Sequence, residues 1–395
     1  MKDLSSIFST CLGCKVARCK TACPCGNDIP AVLAALKEGD EAKASSILHS
    51  TNPFPEWTSL LCDHERQCRG NCIRGIRSTP VDFPEVEKEL SLAFPFPYQA
   101  GKETTKRVAI VGAGPSALSC ATFLRQAGIH VEIFERENQI GGAMLTGIPA
   151  FRFAKDNLAK TRENLERLGV LFHFGKELNK DDVERLRADF DDVVLAIGAE
   201  KENRLSTPPC PDIYAALSLL ADINLRGDYH GLNHVQHIVV MGGGNVAMDV
   251  SRSLVRLGTK VTLIYRRDEA SMPAQRHEIA EAKEDGVVFC PLTNVADYCL
   301  DDNGRLNGLR LVRMELGEKD ESGRPSFHTI EGSEFDMACD AFVMAIGEKS
   351  DLGRYYAAEE VQGNLHAIGD CSYGAKNIAA AIRSGREMAE EIIAK

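Results

Sequence analysis

The chain has 395 residues, 44% of them hydrophobic and 26% charged, with a formal net charge of −11. That length allows two or three ordinary domains, and the acidic balance argues against a nucleic-acid or anionic-membrane surface. No run approaches the roughly eighteen apolar residues needed to span a bilayer, and the first ten residues carry no apolar core of signal-peptide length, so a cytoplasmic protein without membrane insertion is expected.

Fourteen cysteines are many for such a compartment, and eight of them fall between Cys11 and Cys72. Disulfides would be reduced there, so the cluster points to metal. The first group is Cys11-x2-Cys14-x4-Cys19-x3-Cys23-Pro24, close thiolates followed by Cys-Pro as in ferredoxin-type runs, although the middle spacing is wider than the bacterial two. The second is Cys62-x5-Cys68-x3-Cys72. Amphipathic helical patterns over 30–37 and 40–48 would fold the two groups onto each other. Seven cysteines then face two cubane clusters needing eight ligands. Cys25, two residues past Cys23, is not expected to face the same cluster. Structural zinc sites, which also use sets of four thiolates, are the alternative.

Cys11-Leu-Gly-Cys14, Cys23-Pro24, Asn52-Pro-Phe-Pro-Glu56 and Cys68-Arg-Gly-Asn-Cys72 carry a resemblance to a known family. The order of parts resembles the glutamate synthase small subunit, the flavin half of dihydropyrimidine dehydrogenase and the large subunit of NADH-dependent ferredoxin:NADP oxidoreductases. That resemblance implies a helical domain with two [4Fe-4S] clusters ahead of an FAD and NAD(P)H module. It further implies that Cys11, Cys14, Cys19 and Cys72 hold one cluster, and that Cys23, Cys62 and Cys68 hold the other with Glu87 as the non-cysteine ligand. Glu87 could otherwise be a solvated residue of a charged helix. Many relatives carry a cysteine four residues before the one matching Cys62; here that position is Thr58, which is expected to matter little if that cysteine is not a ligand.

Phe94-Pro-Phe-Pro97 and the polar stretch to Lys106 read as a linker, because proline blocks both helix and central strand. The expected domains are therefore 1–100, a helical iron–sulfur domain; 101–200 with 347–395, an FAD domain; and 201–346, an inserted NAD(P)H domain. The fold class is α/β with two Rossmann-like dinucleotide-binding domains.

Val108-Ala-Ile-Val-Gly-Ala-Gly-Pro-Ser-Ala117 opens a strand, glycine turn and helix, and the next strand ends at Glu135. Gly112 allows the tight turn. Gly114 lets backbone approach a pyrophosphate seated on the helix start at Pro115 and Ser116, and Glu135 can accept a ribose hydroxyl. Gly142 and Leu145, with the Gly147-Ile-Pro segment, are expected to wrap the flavin, and Arg152 either faces the cofactor or caps a loop. Gly198 stops a buried strand that closes the first half of this domain.

Ile238-Val-Val-Met-Gly-Gly-Gly-Asn-Val-Ala247 repeats the first fingerprint: Gly112 and Gly242, Gly114 and Gly244, and Ala117 and Ala247 are each 130 positions apart. Two copies mean two dinucleotides, one FAD and one nicotinamide nucleotide, with Gly242, Gly244, Asn245 and Val246 lining the second. At the same offset Glu135 becomes Tyr265, followed by Arg266 and Arg267. Loss of the acid and gain of two guanidinium groups favour a 2′-phosphate, hence NADPH, with NADH as the alternative. Residues 317–333 read as a hairpin loop, and Gly347 closes this domain. Gly369 and Asp370 end the last strand, where the aspartate would bond the ribityl or pyrophosphate part of the flavin cofactor. A helix from about residue 375 follows, its N-terminus towards the flavin.

A chain carrying hydride and single-electron carriers converts between them. The modules use up the chain, so the expected function is electron transfer from NADPH through FAD and two [4Fe-4S] clusters to a separate catalytic or electron-accepting subunit, or to ferredoxin. Alternatives are the reverse, ferredoxin-driven or bifurcating flow, a stand-alone reductase of a small acceptor, and a zinc-headed docking flavoprotein.

Overall fold

The structure, a computed structural model, describes residues 4–199, 201–319 and 323–395. It divides into two compact units: 1–142 with 153–200 and 350–395, and 143–152 with 201–349.

The first unit begins with short helices, the longer ones being Ile29–Lys37, Glu41–His49, Pro55–Leu61 and Phe83–Ala93. Asp28 and Asp40 cap two of them by accepting from Ala31 N and Lys43 N, satisfying backbone donors that a helix start leaves orphaned. Apolar residues of these helices, among them Val32, Leu33, Leu48, Val86 and Leu90, make a core of their own into which Cys11, Cys19, Cys23 and Cys72 pack. A five-stranded parallel sheet follows in spatial order Leu365–Ala367, Asp192–Leu195, Arg107–Val111, His130–Phe134 and Val170–His173. Its central strands are apolar and buried over Val108–Val111 and Val193–Leu195, with Arg107 and Asp192 at their starts, as a sheet covered on both faces requires.

The helical head falls in one compact unit with the first sheet. The expected linker is itself core: Phe96 is buried, edge-on to His49 at 5.3 Å and near Phe123 at 6.5 Å. Trp57, fully buried, meets Phe153 edge-on. The prolines block regular structure there, but they do not stop aromatic side chains from joining helical head and sheet.

The second unit repeats the order of the last four strands, with an edge strand that comes first in the chain rather than last: Ile213–Ala215, Ala341–Met344, His237–Met241, Lys260–Tyr265 and Val288–Pro291, all parallel. The repeat extends to single hydrogen bonds. Gly112 N donates to Phe134 O at 2.8 Å and Gly242 N to Ile264 O at 3.0 Å, partners again 130 residues apart. An antiparallel sheet of Thr293–Leu300, Leu306–Lys319, Pro325–Thr329 and Phe335–Met337 completes this unit. The stretch 317–333, expected as loop, is therefore largely hairpin arm, with Leu316 opposite Phe327.

The segment 143–152 leaves the flavin-side glycine pair yet belongs to the second unit. Asn224 Nδ2 donates to Thr146 O at 2.8 Å, and Phe151 lies beneath the guanidinium groups of Arg252 and Arg256 at 4.9 and 3.9 Å.

Candidate cofactor and metal sites

In the first unit the glycine turn after Arg107–Val111 is forced by sterics. Gly112 has φ +99°, and a Cβ there would fall 2.6 Å from Ala196 O. Gly114 caps the helix Pro115–Gln126, and a Cβ on Gly142, whose φ is +51°, would fall 3.0 Å from Gly114 Cα. The two glycines thus face each other across a backbone cradle that any side chain would fill, the form a pyrophosphate needs at a helix N-terminus. Glu135 is buried, and its Oε2 accepts from Ala113 N at 2.7 Å and its Oε1 from Glu137 N at 2.8 Å. The acid is therefore held against the glycine turn, with lone pairs to spare for a ribose hydroxyl. Burial raises its carboxyl above the usual range.

Gly369, at φ +67°, is pressed against the same helix: a Cβ would lie 2.6 Å from Ser116 Oγ. Asp370 Oδ1 accepts from Lys376 N at 3.2 Å, and the C-terminal helix runs Ile378–Ala394 with Asn377 as its side-chain cap. That helix crosses Pro115–Gln126 so closely that a Cβ on Gly385 would fall 2.0 Å from Ser116 O. Gly112, Gly114, Ser116, Glu135, Gly142 and Gly369 are thus brought together. Gly198, φ +75°, ends the adjoining loop with open space around it.

Leu145 and Arg152 belong to the second unit. Leu145 is buried in the second unit. Arg152 Nη1 donates to both carboxylate oxygens of Asp249 at 2.7 and 2.6 Å, and Nη2 pairs with Glu278 Oε1 at 2.5 Å. Its side chain is only 9% exposed and is held in a buried ion-pair network that continues through Glu278 to Arg252. The guanidinium would have to abandon two carboxylates to serve as a ligand contact.

The second unit carries its own cradle. A Cβ on Gly242 would lie 2.3 Å from Ala345 O, whereas nothing comes within 4 Å at Gly244, which caps Asn245–Val255. Asn245 Oδ1 accepts from Gln275 N at 3.0 Å, fixing the loop that follows the second fingerprint. Val246 lies half-buried on the same first turn, and Gly347 takes φ +92° beside Asn203. Tyr265, in place of the acid, lays its ring over Gly243, where any Cβ would fall 2.6 Å from Cε2. Arg266 is exposed, while Arg267 is buried with its Nε donating to Pro325 O at 2.6 Å.

The cysteine head contains two adjoining cavities. One is lined by Cys11, Cys14, Cys19, Cys68 and Cys72 amid Ile29, Leu33, Val81 and Phe83. The other is lined by Cys23, Cys25, Cys62, Cys68 and Glu87, with Ala379 of the C-terminal helix in its wall. The two expected ligand sets fall one to each cavity, and Cys68 stands on both. All fourteen cysteines are free, and among the described residues no three or more His, Cys, Asp or Glu side chains are placed for one metal ion. The thiols instead ring wider spaces, which suits a polynuclear cluster better than mononuclear zinc. Burial pushes the Cys19 thiol up to about 11 and raises Cys23, Cys62 and Cys68 as well, so a cationic metal core is needed to hold thiolates there.

Glu87 is no solvated helix residue. It is 3% exposed, and Oε1 accepts from Asn27 Nδ2 at 3.1 Å, Asn52 Nδ2 at 3.1 Å and Thr58 Oγ1 at 2.8 Å. Burial pushes its carboxyl up to about 7. Three donors on one oxygen orient the carboxylate and leave the other oxygen for a ligand bond, the supporting arrangement that metal-binding carboxylates require. Thr58, expected to matter little, is thus part of this support, as are Asn27 and Asn52. Thr58 lies in the helix Pro55–Leu61, whereas Asn27 and Asn52 lie in loops, so no helical pattern in the sequence marks the three together. Cys25 also lines the cavity of Cys23, its thiol donating to Ala379 O at 3.4 Å.

Residues 106–385 match the family model for pyridine nucleotide-disulphide oxidoreductases, and residues 6–92 that for dihydropyrimidine dehydrogenase domain II, 4Fe-4S cluster. The glutamate synthase [NADPH] small chain of Escherichia coli (strain K12) is 33% identical over 97% of this chain and 89% of its own length. The NADP(+)-dependent formate dehydrogenase subunit beta of Moorella thermoacetica is also 33% identical, over 95% of this chain and 59% of its own. Among solved structures, 6-hydroxypseudooxynicotine amine oxidase from Pseudomonas geniculata N1 shares the fold, with a TM-score of 0.58 at 19% identity over 92% of this chain and 51% of that one. No described helix is long and apolar enough to cross a membrane. The chain is an NAD(P)H-dependent FAD oxidoreductase with an N-terminal 4Fe-4S domain, and it belongs to the pyridine nucleotide-disulphide oxidoreductase family.

Proposed function

We propose that the chain is the electron-input subunit of a larger enzyme, moving electrons between NADPH and a separate electron-accepting subunit by way of FAD and two [4Fe-4S] clusters. The observation that carries this reading is the pair of cysteine cavities sharing Cys68, one of them walled by Ala379. Ala379 lies in the first turn of the helix that crosses the flavin-side helix at Gly385. When bound, the cofactors supply what no side chain can: hydride acceptance by the flavin and single-electron carriage by the clusters.

The residues have distinct tasks. Gly112, Gly114 and Gly142 admit the FAD pyrophosphate to the helix start at Pro115, and Glu135 orients its ribose. Asp370 and the helix start capped by Asn377 face the rest of the cofactor, where a partial positive charge favours an anionic ring. Gly242, Gly244, Asn245 and Val246 do the corresponding work for NADPH, and Gly198 and Gly347 end the strands that border the two sites. Cys11, Cys14, Cys19 and Cys72 hold one cluster; Cys23, Cys62, Cys68 and Glu87 hold the other. Relatives named as a small chain and as a subunit beta support a partner subunit, since such a chain works within an assembly.

Anaerobic purification followed by iron, sulfide and flavin analysis tests the proposal. About eight iron atoms and one FAD per chain are expected if both clusters are cubanes. Zinc in place of iron would remove the relay.

A further inference from the structure

The cysteine head carries a charge pattern opposite to that of the whole chain. Segments 11–20 and 66–77 hold seven basic residues and no acidic one, in a chain of net charge −11. The two segments meet on the first cavity, which Leu12, Cys14 and Arg18 line from one side and Cys68, Cys72 and Arg74 from the other. Lys15 follows Cys14, Arg69 follows Cys68, and Arg77 caps the short turn Ile73–Ile76; all three are exposed, as is Arg18. Lys20 and Arg66 are paired with Asp28 and Asp63. Lys15, Arg18, Arg69 and Arg77 take part in no ion pair among the described residues.

Apolar side chains stand among these cations. Leu12, Val16 and Ile76 are 64, 79 and 69% exposed, and none belongs to the core of the head. One such residue needs no explanation, but three beside one cavity within a basic margin have the make-up of a protein interface, an apolar contact inside a polar rim. Charge says what covers it. The rest of the chain is acidic and repels an acidic partner, while this face attracts one; attraction at one place and repulsion elsewhere orients the partner as well as holding it. Ala379, from the helix that crosses the flavin-side helix, stands on the second cavity and not on the first, which leaves the first for an outside partner. Arg18 and Arg74, on the cavity itself, can also balance the negative charge of a thiolate-held cluster, but Lys15, Arg69 and Arg77 do not line it.

We propose that this face of the head, with Lys15, Arg18, Arg69 and Arg77 about Leu12, Val16 and Ile76, is the docking surface for an acidic electron-accepting protein. This rests on the reading of the chain as an electron-input subunit. The partner is one whose carboxylates surround an apolar centre of its own. Salt screens such charges beyond about 10 Å at 0.1 M, so affinity should fall as salt rises.

The test uses the full-length chain loaded with FAD and iron. The probes are an acidic [2Fe-2S] ferredoxin and the same ferredoxin with its surface carboxylates amidated, titrated calorimetrically at about 50 and about 300 mM salt. The acidic probe should bind, about fivefold more weakly at the higher salt, and the amidated probe at least about tenfold more weakly than the acidic one. Reversing Lys15→Glu, Arg69→Glu and Arg77→Glu together should cut affinity for the acidic probe at least about tenfold, with iron and flavin contents unchanged. Lys260→Glu, an exposed charge of the second unit, should leave it as it was. Val16→Ser should weaken binding by a similar factor at both salt concentrations. The amidated probe tests the same charge without any substitution, so a misfolded variant does not spare the proposal. Equal binding of both probes, wild-type affinity in the triple variant, or no binding of the acidic probe overturns the docking surface. So does a chain that ignores ferredoxin but binds phosphatidylserine vesicles through the same residues, which would assign the face to a lipid. The electron-input reading is untouched by these outcomes and fails separately, on iron and flavin content.

Discussion

Thr58→Val is the most searching perturbation of the cysteine head, because it changes one buried atom pair without changing side-chain shape. Thr58 is 2% exposed; its hydroxyl donates to Glu87 Oε1 at 2.8 Å and accepts from Asn52 Nδ2 at 2.8 Å. The substitution removes a hydrogen bond to a carboxylate, worth about 1.5–3 kcal/mol, and a neutral one worth about 1 kcal/mol. No water can replace a group so enclosed. Asn52 Nδ2 still reaches Glu87 at 3.1 Å, so its amide is not wholly orphaned, and the net loss should be roughly 2–4 kcal/mol. If Glu87 is the eighth ligand, the loosened carboxylate should also release the cluster it shares with Cys23, Cys62 and Cys68. Anaerobic urea unfolding should show a lower midpoint, and iron should fall from about eight towards about four per chain with flavin content unchanged. Wild-type iron content together with an unchanged midpoint would refute both the energetic argument and the ligand assignment.

Three further outcomes follow from the geometry. Gly142→Ala forces a Cβ to within 3.0 Å of Gly114 Cα at φ +51°, so the purified protein should lack flavin absorbance and regain none on adding FAD. Arg152→Ala strips the partner from buried Asp249 and Glu278; breaking such a pair costs about 3–5 kcal/mol, and the second unit should unfold at lower temperature, with Arg152→Lys recovering little because it cannot bridge both carboxylates. Burial pushes Glu56 up to about 7. A carboxyl raised in the folded state binds its proton more tightly there than when unfolded, so stability falls as pH rises from about 4.5 to 7. Glu56→Gln should therefore match the wild type at pH 4.5 and exceed it by about 1–3 kcal/mol at pH 8, as read from denaturant midpoints.

The local units of this protein were legible in the chain alone. A glycine at position 112 or 242, a small residue five positions on and a continuous apolar strand before it describe a steric requirement confined to thirty residues, so the turn, the helix and their repetition at 130 residues follow without a structure. The cysteine spacings likewise point to metal, in keeping with the 4Fe-4S family match over residues 6–92. What only the tertiary structure decided is where side chains with several admissible partners went. Arg152 had the same pattern whether it faced a cofactor or Asp249; long-range packing chose the carboxylates. Cys25 and Thr58 looked idle because their partners, Ala379 and Glu87, lie 354 and 29 residues away. Arg266 and Arg267 are neighbours in sequence with opposite fates, one exposed and one pinned to a hairpin. Periodicity and spacing report the constraints that backbone imposes on its near neighbours, whereas the choice among distant hydrogen-bond partners is settled by burial, which exists only once the chain has closed on itself.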